Sequence, residues 1–119
     1  MIVTVTLNAA LDVTWEVSDL RPRASHSVRA AHERAGGKGV NVARVLAFLG
    51  HSPLVTGLTG GPTGRLIHDG LRSAGIRTSF VTVAGESRRT VTVVSRNDGD
   101  ATVFNGLGPA VTATEWQPP

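Results

Sequence analysis

Apolar and polar positions along this chain follow two different periods. Residues 2–7 are apolar and β-branched, the pattern of a buried strand. Asn8-Ala9-Ala10-Leu11-Asp12 ends it, and residues 13–17 alternate as a second strand. Residues 20–25 contain Pro22 and read as a turn, and 27–34 alternate loosely as a third strand. The spacing then becomes helical. Val42, Val45, Leu46 and Leu49 predict a helix over about 40–49, with Gly50 as its C′ stop. Residues 54–59 form the next strand. Gly60-Gly61-Pro62-Thr63-Gly64 leads from it into a helix through about Ser73, stopped by Gly75. Leu66, Ile67, Gly70, Leu71 and Ala74 give that helix one apolar face. Residues 78–83, 90–95 and 101–104 complete the strands, the last two flanking the hairpin signal Asn97-Asp98-Gly99-Asp100.

Strands separated by helices imply parallel βαβ units. The strands over 13–34 and 90–104 lack helical crossovers and suggest an antiparallel flap. No internal repeat or low-complexity segment occurs. Near the end, Thr112 or Thr114 is placed to cap a helix with Glu115 in its first turn, yet Pro118 and Pro119 follow within a few residues. The chain is therefore expected to end in mid-fold. Only two full helices, about 40–49 and 62–73, are available to a parallel sheet that needs both faces covered. Crossover handedness places both on one face, so the other is expected to be bare.

At 119 residues this is one domain at most, and 40% hydrophobic with 18% charged residues describes a globular chain. The net charge is +3, carried by arginines scattered along the chain, so no nucleic-acid face is indicated. Three Phe and two Trp leave few stacking platforms for bases. The absence of cysteine excludes disulfides and thiolate metal sites and fits a reducing compartment. His26, His32, His51 and His68 lack ligand spacing, so no metal site is expected. There is no basic, apolar leader pattern and no stretch of about 20 apolar residues, so the expectation is a cytoplasmic chain with no membrane partner.

The candidate chemistry lies in Gly36-Gly37-Lys38-Gly39-Val40-Asn41. A glycine loop feeding a helix exposes backbone N–H groups and the positive dipole end, suited to an anion or a cluster of hydroxyls. Asn41 sits in the first turn, within reach of the same pocket. A glycine run before a helix also serves simply to make the turn. Two phosphate motifs are excluded: a P-loop needs Ser or Thr where Gly39 stands, and a dinucleotide fingerprint needs glycine where Val42 stands. Asp12 reads equally as a cap on the turn after the first strand. Arg88 and Arg89 read equally as a charged strand edge, and Lys38 as a solvated loop lysine.

Four separated segments, in order and spacing, resemble the N-terminal part of the PfkB (ribokinase-like) carbohydrate kinases, most closely the branch of 1-phosphofructokinase and tagatose-6-phosphate kinase. They are Thr6-Leu7-Asn8-Ala9-Ala10-Leu11-Asp12, Gly36-Gly37-Lys38-Gly39-Val40-Asn41-Val42-Ala43, Gly57-Leu58-Thr59-Gly60-Gly61-Pro62-Thr63-Gly64 and Phe104-Asn105-Gly106-Leu107-Gly108-Pro109. The resemblance covers nearly the whole chain but about the first third of a family member. It implies an α/β fold: the truncated N-terminal part of a three-layer α/β/α parallel sheet with an antiparallel β lid. Residues 1–119 would then be one portion of a kinase domain, with lid strands about 12–34 and 90–105 and the nucleotide-binding part absent.

The same resemblance implies the site. Asp12 takes the place of the Asp that hydrogen-bonds sugar hydroxyls, while Gly37, Lys38 and Asn41 line the sugar pocket. Arg88, with Arg89 as the alternative, meets the phosphate already on the substrate, and Arg29 matches a basic position of close relatives. The substrate class is a phosphosugar, with fructose 1-phosphate the expected member, and the lids of such kinases commonly pair into homodimers. ATP and Mg2+ serve the intact parent, but neither is expected to bind well to this chain alone. The catalytic Asp of a Gly-Ala-Gly-Asp type motif has no counterpart after residue 109, so the chain alone is expected to be inactive. The chain departs from the family pattern at Ala9, where relatives carry Pro. Val103 and Gly106 stand where this branch often carries acids, which leaves the identity of the sugar open. A non-catalytic phosphosugar-binding module, or an inert truncated product, is the alternative.

Overall fold

A computed structural model describes residues 1–116. Its elements run β1 (Val3–Thr6), β2 (Ala10–Val17), β3 (Ala30–Gly36), α1 (Lys38–Phe48), β4 (Leu54–Thr59), α2 (Gly61–Ser73), β5 (Arg77–Thr82), β6 (Arg88–Ser95), β7 (Ala101–Asn105) and α3 (Ala113–Trp116). β1, β4 and β5 form a parallel sheet in that spatial order. The other four strands form a lid in the order β3-β2-β6-β7. Its outer pairs are antiparallel, as the flap pattern predicts, but the central pair β2–β6 is parallel. The connectivity requires this. β2 continues outward from the end of β1, and β6 from the end of β5, so both leave the parallel sheet in the same direction.

That central pairing also moves element boundaries. Ala10 and Leu11 pair with Arg88 and Arg89 on one side and with Gly36 and Ala35 on the other. β2 therefore starts three residues before the expected 13, and Asp12 lies inside a strand rather than in a turn. The helix stops fall where glycine punctuation puts them. After α1, the Gly50 and His51 amides donate to the Ala47 and Leu46 carbonyls at 3.1 and 3.0 Å. After α2, Gly75 and Ile76 donate to Arg72 and Leu71, both at 3.0 Å. Both are Schellman closures. At α3 the Glu115 carboxylate reaches back to its N-cap, accepting from the Thr112 amide at 2.9 Å, which is one arm of a capping box. Pro118 and Pro119 lie outside the described residues.

The core joins both layers: Val40 and Ala43 of α1, Ile67 and Leu71 of α2, Val55 of β4, and Leu11, Val13 and Ala35 at the root of the lid. Both long helices cover one face of the parallel sheet, where Thr4, Thr6 and Val55 are buried. On the other face Val3, Val5 and Val81 are 49%, 59% and 49% exposed. This is the bare face expected from crossover handedness. Among the described residues, no helix is long and apolar enough to cross a membrane.

A clip ties the lid to the parallel sheet just before Arg88. The Gly60 amide donates to the buried Ser87 Oγ at 2.9 Å, and the Ser87 amide donates to the Gly60 carbonyl at 3.0 Å. The Thr63 amide donates to Glu86 Oε2 at 2.6 Å, so a carboxylate satisfies the first turn of α2. Hydrogen bonds from the Thr63 side chain and amide hold the Glu86 carboxyl below its ordinary value of 4.5. A carboxyl depressed in the folded state stabilises fully above its unfolded value, and that contribution is lost as pH falls through the depressed value. Glu86→Gln should therefore lower the melting temperature near neutral pH. The gap to the parent should close on acidification below 4.5, which thermal melts across a pH series would measure. A gap independent of pH would exclude the ionic role.

Candidate functional site

The turn from β1 into β2 and the Gly37–Gly39 entry to α1 come together as the walls of one pocket of about 300 Å³. Val5, Thr6, Leu7 and Asn8 form one wall, Gly37, Lys38 and Gly39 another, and Arg88 closes the third side. Gly37 is the N-cap of α1 at φ 118°, a conformation that L side chains rarely adopt, so the sharp entry depends on glycine. The helix therefore begins at Lys38, two residues before the expected start. Its first intrahelical bond runs from the Asn41 amide to the Gly37 carbonyl at 2.9 Å. The preceding first-turn amides have no partner within the helix, which gives the pocket an electropositive floor.

Arg88 is the first residue of β6. Its Nε donates to the Asn8 carbonyl at 3.2 Å and its Nη1 to Thr90 Oγ1 at 3.3 Å. These bonds aim the guanidinium while leaving N–H groups on Nη1 and Nη2 free to hold an anion bidentately. Asp12 stands two residues along the neighbouring strand, in register with Thr90 and Arg34. Asp12, Arg34 and Arg88 therefore emerge on one face of the lid, and Arg88 links the pocket to the carboxylate. Burial raises the Asp12 carboxyl above its ordinary range, against the opposing pull of Arg88, then Arg34, then Arg44. Gly36 lies directly beneath it, and a Cβ built there would collide with the carboxylate. A half-buried acceptor set among three cations suits the hydroxyls of a polar, anionic ligand.

The pocket thus brings together Gly37, Lys38 and Arg88, with Asp12 adjoining. It does not bring in Asn41, which is exposed on the outer side of α1 beside an apolar groove lined by Val42, Val45 and Leu46. Arg89 points to the opposite lid face, 3.9 Å from Glu33. Arg29 lies at the far end of the lid, its amide donating to the Glu16 carbonyl at 2.7 Å. That is most of a strand length from the pocket, so Arg29 does not join it within one chain.

Two residues of the site were not singled out from the sequence. Asn8 lines the pocket beside the helix entry, though it stood within a quoted motif. Arg44 reaches the root of the lid from the inner face of α1, and its Nη2 donates to the Ala35 carbonyl at 2.9 Å. The signal for Arg44 was present, since Val40, Ala43, Arg44 and Ala47 follow inner-face helical spacing. Among the described residues, no group of three or more His, Cys, Asp or Glu could hold a metal ion.

The family model for pfkB family carbohydrate kinases matches residues 5–118. The chain belongs to this family. Among solved structures of similar fold, a protein from Staphylococcus aureus assigned as a phosphofructokinase is 34% identical with a TM-score of 0.87. That match covers 97% of this chain and 37% of the other. A Thermotoga maritima protein assigned as a 1-phosphofructokinase is 33% identical, TM-score 0.87, covering 97% and 38%. Phosphofructokinase-2 from Escherichia coli, solved with fructose 6-phosphate, is 28% identical, TM-score 0.91, covering 96% and 38%. The chain spans well under half the length of these relatives. The resemblance read from the four segments and the ribokinase-like α/β fold are both shown by these matches, and PfkB kinases are phosphotransferases that use ATP and Mg2+ in the intact enzyme.

Proposed function

We propose that this chain supplies the acceptor side of an ATP-dependent sugar-phosphate kinase that converts fructose 1-phosphate to fructose 1,6-bisphosphate. One observation carries the reading: Arg88 and the amide-lined entry to α1 face each other across a pocket next to the Asp12 carboxylate. In this reading Arg88, with Lys38, holds the phosphate already on the sugar, and Asp12 accepts hydrogen bonds from sugar hydroxyls. Asn41 enters on the family pattern alone. The proton of the attacking hydroxyl passes to an Asp of a Gly-Ala-Gly-Asp type motif, which this sequence does not contain. Phosphoryl transfer rests on positioning and on charge neutralisation around the γ-phosphate. This chain's own residues supply only the acceptor's positioning.

Titration calorimetry with fructose 1-phosphate and with fructose 6-phosphate tests the reading. Micromolar binding, about −8 kcal/mol, with fructose 1-phosphate preferred, is the expected result. Preference for fructose 6-phosphate would reassign the sugar. A second reading, a phosphosugar-binding module without turnover, is favoured by an acceptor pocket in a sequence with no Gly-Ala-Gly-Asp type motif. It predicts the same binding and no ADP release in any longer form of the protein. No heat at millimolar ligand would leave an inert fragment.

The reading extends to a homodimer through the lid. Trp15 and Phe104, on one lid face, are 39% and 58% exposed, next to a groove formed by Val17, Leu20, Val28 and Val93. Light scattering behind size-exclusion chromatography, at concentrations on the order of tens of micromolar, should resolve a dimer mass apart from any aggregate. A clean monomer would count against it.

A further inference from the structure

We propose that Arg44 is the positioning residue of the hydroxyl subsite: by holding the Ala35 carbonyl it fixes Gly36 beneath Asp12 and keeps that carboxylate in place. The proposal deepens the acceptor-site reading and rests on it. Arg44 sits on the inner face of α1, between the buried Ala43 and the half-buried Ala47. A guanidinium is an expensive choice there. Its Nε is buried with no acceptor, and burial pulls its own pKa down. An unpaired buried donor destabilises the fold, so an apolar side chain of similar length would suit packing better. What Arg44 gains lies at its other end. The Nη2 bond to Ala35 runs from the α1 helix to the last residues of β3. This is the point where the strand hands over to the glycine entry.

Ala35 and Gly36 are the residues of β3 paired with Leu11 and Ala10, and Arg34 is paired with Asp12. Gly36 lies against the Asp12 carboxylate closely enough that no side chain fits between them. A shift of the Ala35 peptide therefore moves the surface on which Asp12 rests. The charges that act on the Asp12 carboxyl come from three elements: Arg88 of β6, Arg34 of β3 and Arg44 of α1. Arg88 and Arg34 belong to the lid. Arg44 belongs to the α1 layer, so it links the position of the carboxylate to the helix that forms the pocket floor.

The test uses the 119-residue chain and two variants, Arg44→Met and Arg44→Lys. Amide hydrogen exchange reports the Ala35–Lys38 segment, and carbon-detected NMR titration reports the Asp12 carboxyl. In Arg44→Met, exchange at Ala35–Lys38 should rise about tenfold while amides of β4 and β5 keep their protection. The Asp12 titration should move upward as one cation is lost. Arg44→Lys should keep the Asp12 titration close to the parent's but still raise exchange at Gly36, because an ammonium lacks the fork that reaches the carbonyl. Unchanged exchange at Gly36 in both variants would overturn the proposal. So would a uniform loss of protection, which marks a merely structural residue. These readouts need no ligand. Failure of fructose 1-phosphate to bind the parent chain would count against the acceptor-site reading without touching this result.

Discussion

Arg88→Met should weaken fructose 1-phosphate binding by roughly 30- to 150-fold while lowering the thermal transition only slightly near neutral pH. The magnitude follows from two charge-assisted hydrogen bonds to phosphate lost together, about 2–3 kcal/mol. The slight cost to folding comes from Asp12, which loses the strongest of its opposing cations; the hydrogen bonds of Arg88 in the free chain add little. Its two bonds, at 3.2 and 3.3 Å, reach a carbonyl at an exposed turn and a threonine hydroxyl, and both acceptors can turn to water. Lys38→Met should cost far less, about three- to tenfold, because Lys38 is exposed and its ammonium is screened. Arg88→Lys should recover little, since a point charge cannot hold two phosphate oxygens in one plane. Calorimetric titration of the three variants at fixed salt separates these outcomes. Equal affinity for Arg88→Met and the parent would remove Arg88 from the phosphate subsite.

The elements legible in the sequence were those with local causes. Both helix stops followed from glycines whose positive φ closes a Schellman turn, at 92° for Gly50 and 75° for Gly75. At α3 the sequence left Thr112 and Thr114 both open as the cap, and Glu115 accepts from the Thr112 amide. What stayed hidden was set by pairing across long sequence distances. Ala10 and Leu11 read as part of a break, and they become strand because Arg88 and Arg89, nearly eighty residues away, complete the ladder. The parallel central pair of the lid is invisible for the same reason: alternation marks a strand but not its direction.

The candidate site divides in the same way. The glycine entry and Arg88 carry their chemistry in residue type, so motif order was enough to bring them together. Asp12 and Asn41 show the limit. For Asp12 the sequence left a turn cap and a ligand equally open. The β2–β6 register settles its place in a strand and sets it on the same lid face as Arg88. Asn41 lies in the first turn as expected, yet the screw of α1 turns it to the outer side with Val45, where it is exposed. The charge of Arg44 points to an exposed position, whereas its helical spacing puts it on the packed face.

The isolated chain should melt at low temperature, aggregate, and release no ADP with ATP, Mg2+ and fructose 1-phosphate. A parallel sheet is stable when both faces are covered, and here α1 and α2 cover one. Val3, Val5 and Val81 on the other face stay about half exposed, and Val42, Val45 and Leu49 repeat the problem on the outer side of α1. Several hundred Å² of apolar surface left in water forfeits several kcal/mol at about 25 cal/mol per Å². That approaches the whole stability of a domain, roughly 5–15 kcal/mol. Catalysis should fail for a separate reason: the sequence offers no Gly-Ala-Gly-Asp type motif. A thermal melt of the purified chain, paired with a coupled ADP assay, tests both halves. A cooperative transition above about 60 °C, within the upper range of mesophile domains, would overturn the first, and turnover above background the second. A double variant, Val3→Thr with Val5→Thr, ties the cause to the bare face. Threonine keeps the β-branched shape, so on an uncovered face it should reduce aggregation without lowering the transition. If that face were packed in solution, the same two substitutions would cost more than 1 kcal/mol each through buried, unpaired hydroxyls.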